Sequence, residues 1–291
     1  MKQCLIALIS ILLASGTAVA DDGKPPSRGL SIFANAGGYW ADKVTANFYS
    51  GRPGNDNTID RVLHSNTYGQ QIWANLRNQQ LITDAVGSYE QLQVVEYPDM
   101  YYRTSYQIGV GMRYDYSSGF GWLLRFDLAK LQAVGAFNLS ASGGSALLGS
   151  NQYVRCQMLG QEDRINIDLA LTKTVSLSEV LDLELNLGAS LINTKVQDNM
   201  MEIGGSAYSI LNIWDSRVPD EGVEGYQYIN QGGIGYGVFV SALLGYSLPG
   251  VGALKVGYTC YQSKTVLKGY TAWGWQHMLG VRIEMNNFRF L

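Results

Sequence analysis

Between Leu181 and Val196 the chain reads LDLELNLGASLINTKV, with leucine at 181, 183, 185 and 187 and with Asp182, Glu184 and Asn186 between them. Successive side chains of a strand point to opposite faces, so this period of two predicts a strand with one apolar and one polar face. The pattern recurs. Over 120–134, Trp122, Leu124, Phe126 and Leu128 oppose Arg125 and Asp127. Over 162–175, Ile165, Ile167, Leu169 and Leu171 oppose Arg164, Asn166, Asp168 and Thr172. Over 233–247, Ile234, Tyr236, Val238, Val240 and Leu244 oppose glycines and Ser241, and over 275–289, Trp275, Leu279, Val281, Ile283 and Met285 oppose Gln276, Arg282 and Glu284. With 29–40, 104–116 and 252–267 these make eight predicted strands. Each exceeds the roughly 9–11 residues a tilted strand needs to cross a bilayer. A two-sheet sandwich also alternates, but it does not place charges in the middle of so many strands. The pattern points to an antiparallel transmembrane β-barrel, with the leucine face toward lipid.

The predicted connections support this. After the second, fourth and sixth strands come the tight turns YSSGFG, SLSEV and SLPGVG, whereas 41–103, 135–161, 197–232 and 268–274 are longer. Membrane barrels have short periplasmic turns and longer external loops. An even strand number then puts both chain ends on the periplasmic side. In that orientation Tyr114, Tyr116, Phe120, Trp122 and Tyr246 fall on the lipid face near the periplasmic end, and Trp40, Tyr106 and Trp275 near the external end. Two aromatic belts are what the two interfaces of a membrane favour.

The N-terminus and the composition agree. MKQCLIALISILLASGTAVADD has a basic start at Lys2, an apolar run from Leu5 to Ala14 and the small-residue end Ala18-Val19-Ala20. This is the pattern of a secretory signal peptide cut after Ala20. We therefore expect a signal peptide over 1–20, a periplasmic segment over 21–28 and a barrel domain over 29–291. Charged residues make up only 15% of the 291, with 34 glycines and 19 tyrosines. Low charge and many aromatics without long apolar runs suit a barrel and predict no membrane helix. The net charge of −3 argues against a nucleic-acid partner. Cys156 and Cys260, the cysteines beyond the cleavage site, do not define a disulfide framework.

The stretches SYQIGVGMRYDYSSGFGWLLRFDL and EDRINIDLAL resemble strands of the small outer-membrane β-barrel proteins of Gram-negative bacteria, in spacing most like those of the Bacteroidota. The resemblance runs from about Gly29 to the end and is one of pattern. It implies an outer-membrane location, with outer-membrane lipid as the surroundings. Such proteins end in a terminal aromatic residue, whereas here Phe290 is penultimate and Leu291 last. The family shares no common activity, so the resemblance speaks to fold and place and says little about chemistry.

Inward-facing positions hold Arg113, Arg125, Arg164, Lys255 and Arg282 against Asp115, Asp127, Asp168, Asp182, Glu184 and Glu284. The interior of an eight-stranded barrel is just wide enough for side chains to fill. Near-balanced charge predicts a salt-bridged structural core. A selective pore carries an excess of one sign along its path, so a narrow channel for small or apolar solutes is the alternative, and an accessory barrel of a secretion or envelope assembly a third. Catalysis is not expected. The two histidines are His64, in RVLHSN beside Ser65, and His277, on the apolar face. There is no HExxH, GxSxG or metal-spaced Cys/His cluster, and we expect no metal or other cofactor. GGIGYG at 232–237 lies inside an alternating strand, which argues against a phosphate loop.

What exceeds a minimal barrel is loop material. TYGQQIWANLRNQQLITDAV, 67–86, spaces Tyr68, Ile72, Trp73, Leu76 and Leu81 as on an amphipathic helix that covers the mouth, plugs it or packs on other loops. SNQYVRCQML, AYSILNIW and GYQYIN read as short strands that extend hairpins above the membrane or raise the strand count. Long connections are usually functional or disordered. Trp73, Ile210, Ile213 and Trp214 form either a shared cap or an exposed patch that is the candidate contact for an external protein or small-molecule partner, in a non-enzymatic surface or envelope-structural protein.

Overall fold

The computed structural model describes residues 29–286 except 56, 83–86, 117, 142–151, 212–230 and 249–251. The expected signal peptide, the 21–28 segment, GYQYIN, the terminal FRFL, and Ile213 and Trp214 lie outside the described residues.

Eight long strands form a closed antiparallel ring: β1 (Gly29–Trp40), β2 (Ser105–Asp115), β3 (Phe120–Ala141), β4 (Gln152–Ser176), β5 (Leu181–Ile203), β6 (Gly233–Leu248), β7 (Gly252–Leu267) and β8 (Tyr270–Asn286). Each pairs with its sequence neighbours, and β8 closes on β1 from Ser31–Asn286 to Trp40–His277. Closure leaves no open edge in the ring, the condition for a sheet to sit in hydrocarbon, where an unpaired peptide group finds no water. Around the circumference the outward residues are apolar and exposed. They include Ile108 and Val110 on β2, Phe126 on β3, Leu169 and Leu171 on β4, Leu191 on β5, Val238 on β6, Val256 on β7 and Ile283 on β8. An apolar belt of this extent is far beyond the patches a water-exposed surface carries. No described helix is long and apolar enough to cross a membrane; the strands do it. The expected aromatic belts face outward, and Trp273, Tyr236 and Tyr258 join them toward the long-connection end.

Two expectations about the connections change. The last long one, 268–274, is a two-residue turn, Lys268-Gly269, with Gly269 at φ 72°. Strand β8 starts at Tyr270, because Leu267 to Lys264 pair with Tyr270 to Trp273. The inward residues of that stretch include Ala272 and Gly274, too small to show alternation by hydropathy; a Cβ on Gly274 would lie 2.8 Å from that of Asp42. Short and long connections therefore do not alternate throughout. The expected loop 135–161 is also mostly strand: β3 runs to Ala141 and β4 begins at Gln152. Likewise β5 continues to Ile203 and turns into a short strand, Ser206–Ser209, that pairs with it. These extend the hairpins and add no further strand to the ring.

The wall is thus uneven. At about 3.3 Å per residue, β4 with 25 residues runs about 80 Å and β1 with 12 about 40 Å. The tall side is β3, β4 and β5, flanked by Leu92–Glu96 and Tyr101–Tyr102 on β3 and by Ser206–Ser209 on β5. Along β4 the polarity inverts. From Thr172 up to Glu162 the inward residues are mainly polar and the outward ones Leu171, Leu169, Ile167 and Ile165. Beyond that level the inward residues are Met158, Cys156 and Val154, and the outward ones Asp163, Gln161, Gln157 and Arg155. The same strand leaves lipid and enters water at about residue 164.

A closed ring of paired backbone should resist detergent. Unheated protein in dodecyl sulfate is expected to migrate apart from boiled protein; identical migration at all temperatures below boiling would contradict the closed ring.

Candidate functional site

Three layers of side chains fill the barrel. Nearest the short turns, Glu184 on β5 is the hub. It accepts from Lys255 Nζ on β7 at 2.6 Å and from Arg282 Nη1 on β8 at 2.6 Å, and it pairs with Arg113 of β2. Arg113 also meets Asp115 and Glu284, each at 2.8 Å, and Lys255 reaches Glu284 at 3.2 Å and Asp182 at 3.9 Å. Charges from four strands are thereby tied across the lumen. In the middle layer Arg125 lies 2.8 Å from Asp127 and 2.6 Å from Asp168. Tyr261 donates to Asp168 at 3.0 Å and Asn35 to Asp127 at 2.9 Å. Between these layers lies a cavity of about 20 Å³ beside Asn35, Arg125, Thr259 and Arg282, room for about one water.

The third layer joins the barrel to its cap. Arg164 lies 2.6 Å from Glu162, which also accepts from Tyr49 at 2.6 Å; Arg164 donates to Thr45 at 3.0 Å and to Tyr102 at 3.1 Å. Thr45, Tyr49 and Tyr102 belong to the first long connection, so a buried ion pair of the wall anchors the cap. Burial and the neighbouring Glu162 carboxylate push the Tyr49 phenol well above its usual range, so it stays a donor. Gly160 makes room: a Cβ there would lie 2.3 Å from the Tyr49 ring. Glu162 was absent from the expected interior set. It lies two residues before Arg164 on the same face, and that parity was the available signal.

The cap comprises α1 (Lys43–Ala46), α2 (Ile59–Leu63) and α3 (Tyr68–Asn78). Asp42 caps α1 through Val44 N at 2.9 Å and accepts from Trp275 N of β8 at 3.0 Å, fixing the exit from β1. Ser65 accepts from Tyr68 N at 3.0 Å at the start of α3. The buried faces of α2 and α3, Ile59, Val62, Leu63, Ile72 and Leu76, pack against the inward Phe137, Leu139, Val154, Cys156, Met158, Met201 and Ile203 of the tall wall. The predicted helix is present and is part of an apolar core in the extended barrel. Tyr97 donates to Asp60 of α2 at 2.5 Å, and burial together with that carboxylate raises its pKa.

The loop candidates fare unequally. Ile210 is fully buried in this core, the shared-cap alternative; as an exposed contact it is corrected, since the wall beyond Ile203 folds back and carries it inward. Trp73 is partly buried against the same core, under the Arg77 guanidinium at 4.8 Å. Exposed beside them is a groove of about 330 Å³ between Leu81, Tyr153, Arg155, Gln157, Glu202 and Gly204–Gly205, a volume in the range of small-ligand sites. Of these only Leu81 was named from the sequence, as a position of the amphipathic helix and not as part of a site. Tyr153, Arg155 and Gln157 lie in a segment read as a short strand, but their alternation is out of phase with the membrane part, so the pattern did not mark them as one continuous wall with it.

The histidines stand apart. His64 is exposed at the end of α2 with Nδ1 2.8 Å from Asp60 O, and the Ser65 hydroxyl donates to Val62 O at 2.8 Å. His277 faces outward, stacked on Tyr258 and 2.6 Å from its hydroxyl. The glycines of 233–237 lie at the start of β6, where a Cβ on Gly235 would meet Lys264 O. Among the described residues no group of three or more His, Cys, Asp or Glu could hold a metal ion.

Removing one member of a buried pair leaves the other charge uncompensated, at a cost of about 3–5 kcal/mol. Glu162→Ala is expected to make residues 41–102 sensitive to limited proteolysis while the ring keeps its heat-dependent migration; Glu162→Gln, which still accepts from Tyr49, should be milder. Arg125→Ala is expected to lower the temperature at which the folded band disappears, with Asp127 and Asp168 left facing each other. An unchanged transition would mean that the middle layer adds nothing to stability.

No protein-family model matches the chain, and no curated protein matches it. Among solved structures it is similar to Neisserial surface protein A (NspA), at 10% identity and a TM-score of 0.40, over 89% of this chain and 97% of that one. It is also similar to Ail, the attachment invasion locus protein of Yersinia pestis, at 8% identity and a TM-score of 0.32, over 89% and 100%. The outer membrane protein OprG from Pseudomonas aeruginosa matches at 8% identity and a TM-score of 0.36, over 90% and 99%. These structural neighbours are outer-membrane β-barrel proteins of Gram-negative bacteria, and the likeness is one of fold.

Proposed function

We propose that this chain is a non-enzymatic, non-conducting outer-membrane protein whose tall wall and cap form a rigid external platform for a partner or small ligand. The observation that carries the reading is the division of the lumen. Its lower part is packed with paired charge, and its upper part is sealed by the apolar faces of α2 and α3. Neither region offers a solute a path, whereas the material above the apolar belt is extensive and built on rigid strands. Recognition residues are commonly carried on such scaffolds. The groove lined by Tyr153, Arg155, Gln157 and Glu202 supplies an aromatic face, a cation, an amide and a carboxylate on the outer side. It replaces Ile210 as the candidate contact. The Bacteroidota type rests on strand spacing alone.

Gly54 lies in an exposed turn of the cap with open space around the position of its Cβ, so it accepts an inserted tag without displacing core. On intact cells a tag at Gly54 is expected to be reached by antibody, and purified protein in planar bilayers to show no steady conductance. A tag reached only after the outer membrane is breached would invert the orientation. Large ion-selective openings altered by Glu184→Gln would replace the platform with the narrow-channel reading.

A further inference from the structure

At its upper end the tall wall has a step. Strand β4 is paired with β3 as far as Gln152–Ala141, but its pairing with β5 stops at Gln157–Glu202. There β5 turns away through Gly204 and Gly205, at φ 56° and 73°, into Ser206–Ser209, which pairs on the far side of β5. Above the turn, Tyr153 to Cys156 therefore have a strand neighbour on one side only, among the described residues. Such an edge presents N–H and C=O groups at strand spacing, a template for another strand. The groove of about 330 Å³ lies in this step, with Tyr153 to Gln157 along it, Glu202 and the Gly204–Gly205 turn at its foot, and Leu81 on the cap side. Gln79 donates to Gly204 O at 2.5 Å, which ties the turn to the end of α3. Arg155 is exposed and Glu202 half-buried, and among the described residues neither has a hydrogen bond or ion pair. Glu202 is level with Gln157, and Arg155 stands two residues, about 7 Å, higher on the same outer face.

We infer that this step receives the free N-terminus of an extended peptide whose first residue is acidic. The occupant takes the track that β5 has left. The Gly204–Gly205 turn closes that track below, so what enters is the end of a chain and not a strand passing through. The order of charges selects which end. Strand β4 descends toward the membrane here, so an antiparallel occupant begins at the foot, with its α-ammonium beside Glu202 and the Gln157 amide. A parallel occupant would finish at the same foot with its carboxylate against Glu202, a like-charge contact. The first side chain then lies level with Arg155 and on its face, where an acid completes the unpaired guanidinium. The second turns toward Leu81 and is apolar, and the third lies beside the exposed Tyr153. Strand addition and capture of a terminal amine are both recurring modes of peptide recognition, and the step offers the groups for both. Ammonium–carboxylate and guanidinium–carboxylate contacts are among the strong hydrogen bonds. The inference deepens the platform reading above and rests on it, since the step must lie outside the membrane where a partner can reach it.

The test uses full-length protein in nanodiscs and a short C-terminally labelled peptide beginning glutamate–valine–tyrosine, with binding read by fluorescence anisotropy beside the N-acetylated form. Wild type is expected to bind the free amine about tenfold more tightly than the acetylated form, the scale of one charge-assisted contact. Glu202→Gln is expected to abolish that preference. Arg155→Gln is expected to abolish the preference for glutamate over glutamine at the first peptide position and to keep the preference for the free amine. Methylating the main-chain nitrogen of the second or of the third peptide residue is expected to weaken binding at one position and spare the other, because alternate residues of a strand bond to a given neighbour. Equal binding of the acetylated form, an amine preference that Glu202→Gln keeps, or equal effects of the two methylations overturns the inference. So does full displacement by free glutamate, which would make the occupant a small zwitterion. Absence of any binding by wild type overturns it too, whereas the platform reading stands or falls on the Gly54 tag and the bilayer recordings. Heat-dependent migration of both variants in dodecyl sulfate, checked in parallel, shows whether their barrels are folded.

Discussion

Every peptide group inside hydrocarbon must find its hydrogen-bond partner within the protein. The register of β1 on β8, from Ser31–Asn286 to Trp40–His277, meets that demand by turning a sheet into a ring. The remaining features follow from closure. A ring of eight strands encloses a space that side chains can fill, so the inward residues must be mutually compatible. Glu184 answers this by taking three cations from three other strands, and the Arg125 layer by sharing one guanidinium between two carboxylates. Such pairs are costly to bury, and removing one partner costs more because the other charge is left uncompensated.

Above the membrane the same strands obey the opposite rule. Water now bathes the outer face, and the inner face needs apolar contact. The inversion along β4, from Ile165 outward to Met158 inward, is a change of solvent written into one continuous strand. The tall wall alone would leave Phe137, Leu139, Met158 and Ile203 facing an open mouth. Ile72 and Leu76 of α3 cover them, so the cap and the wall extension depend on each other. At the seam sits Glu162–Arg164, with Tyr49 reaching down to it through the space Gly160 leaves.

The membrane part was legible in the sequence because lipid imposes strict alternation on long stretches. Ring, face assignment and tight turns follow from that period, whereas α3 was legible from its own helical spacing of Tyr68, Ile72, Trp73 and Leu76. The upper part was legible only in fragments. Where polarity inverts, a hydropathy pattern loses phase, so 135–161 reads as loop although most of it is strand. Where inward residues shrink to Ala272 and Gly274, alternation fades and β8 seems to begin late. Ile210 reads as a surface contact because its apolar character does not say which side of a folded-back segment it occupies. The candidate site shares this limit: the groove between Tyr153–Gln157 and Glu202 is set by cross-strand register, which no local window contains.

The place of the cap in the chain sets an order of assembly. Residues 41–102 lie between β1 and β2, yet they pack on β3, β4 and β5, which are made later. The strand that closes the ring, β8, is the last of all. While β1 and β8 are apart, the cap has a lateral way across the bilayer; once they zip, a folded cap has no passage through a lumen already filled by Glu184 and Arg125. In the proposed orientation, with the cap outside, it must cross as unfolded chain before the seam shuts, and its helices can gather only when the tall hairpins have followed it. The seam between the first and last strands is thus a clock as well as a bond.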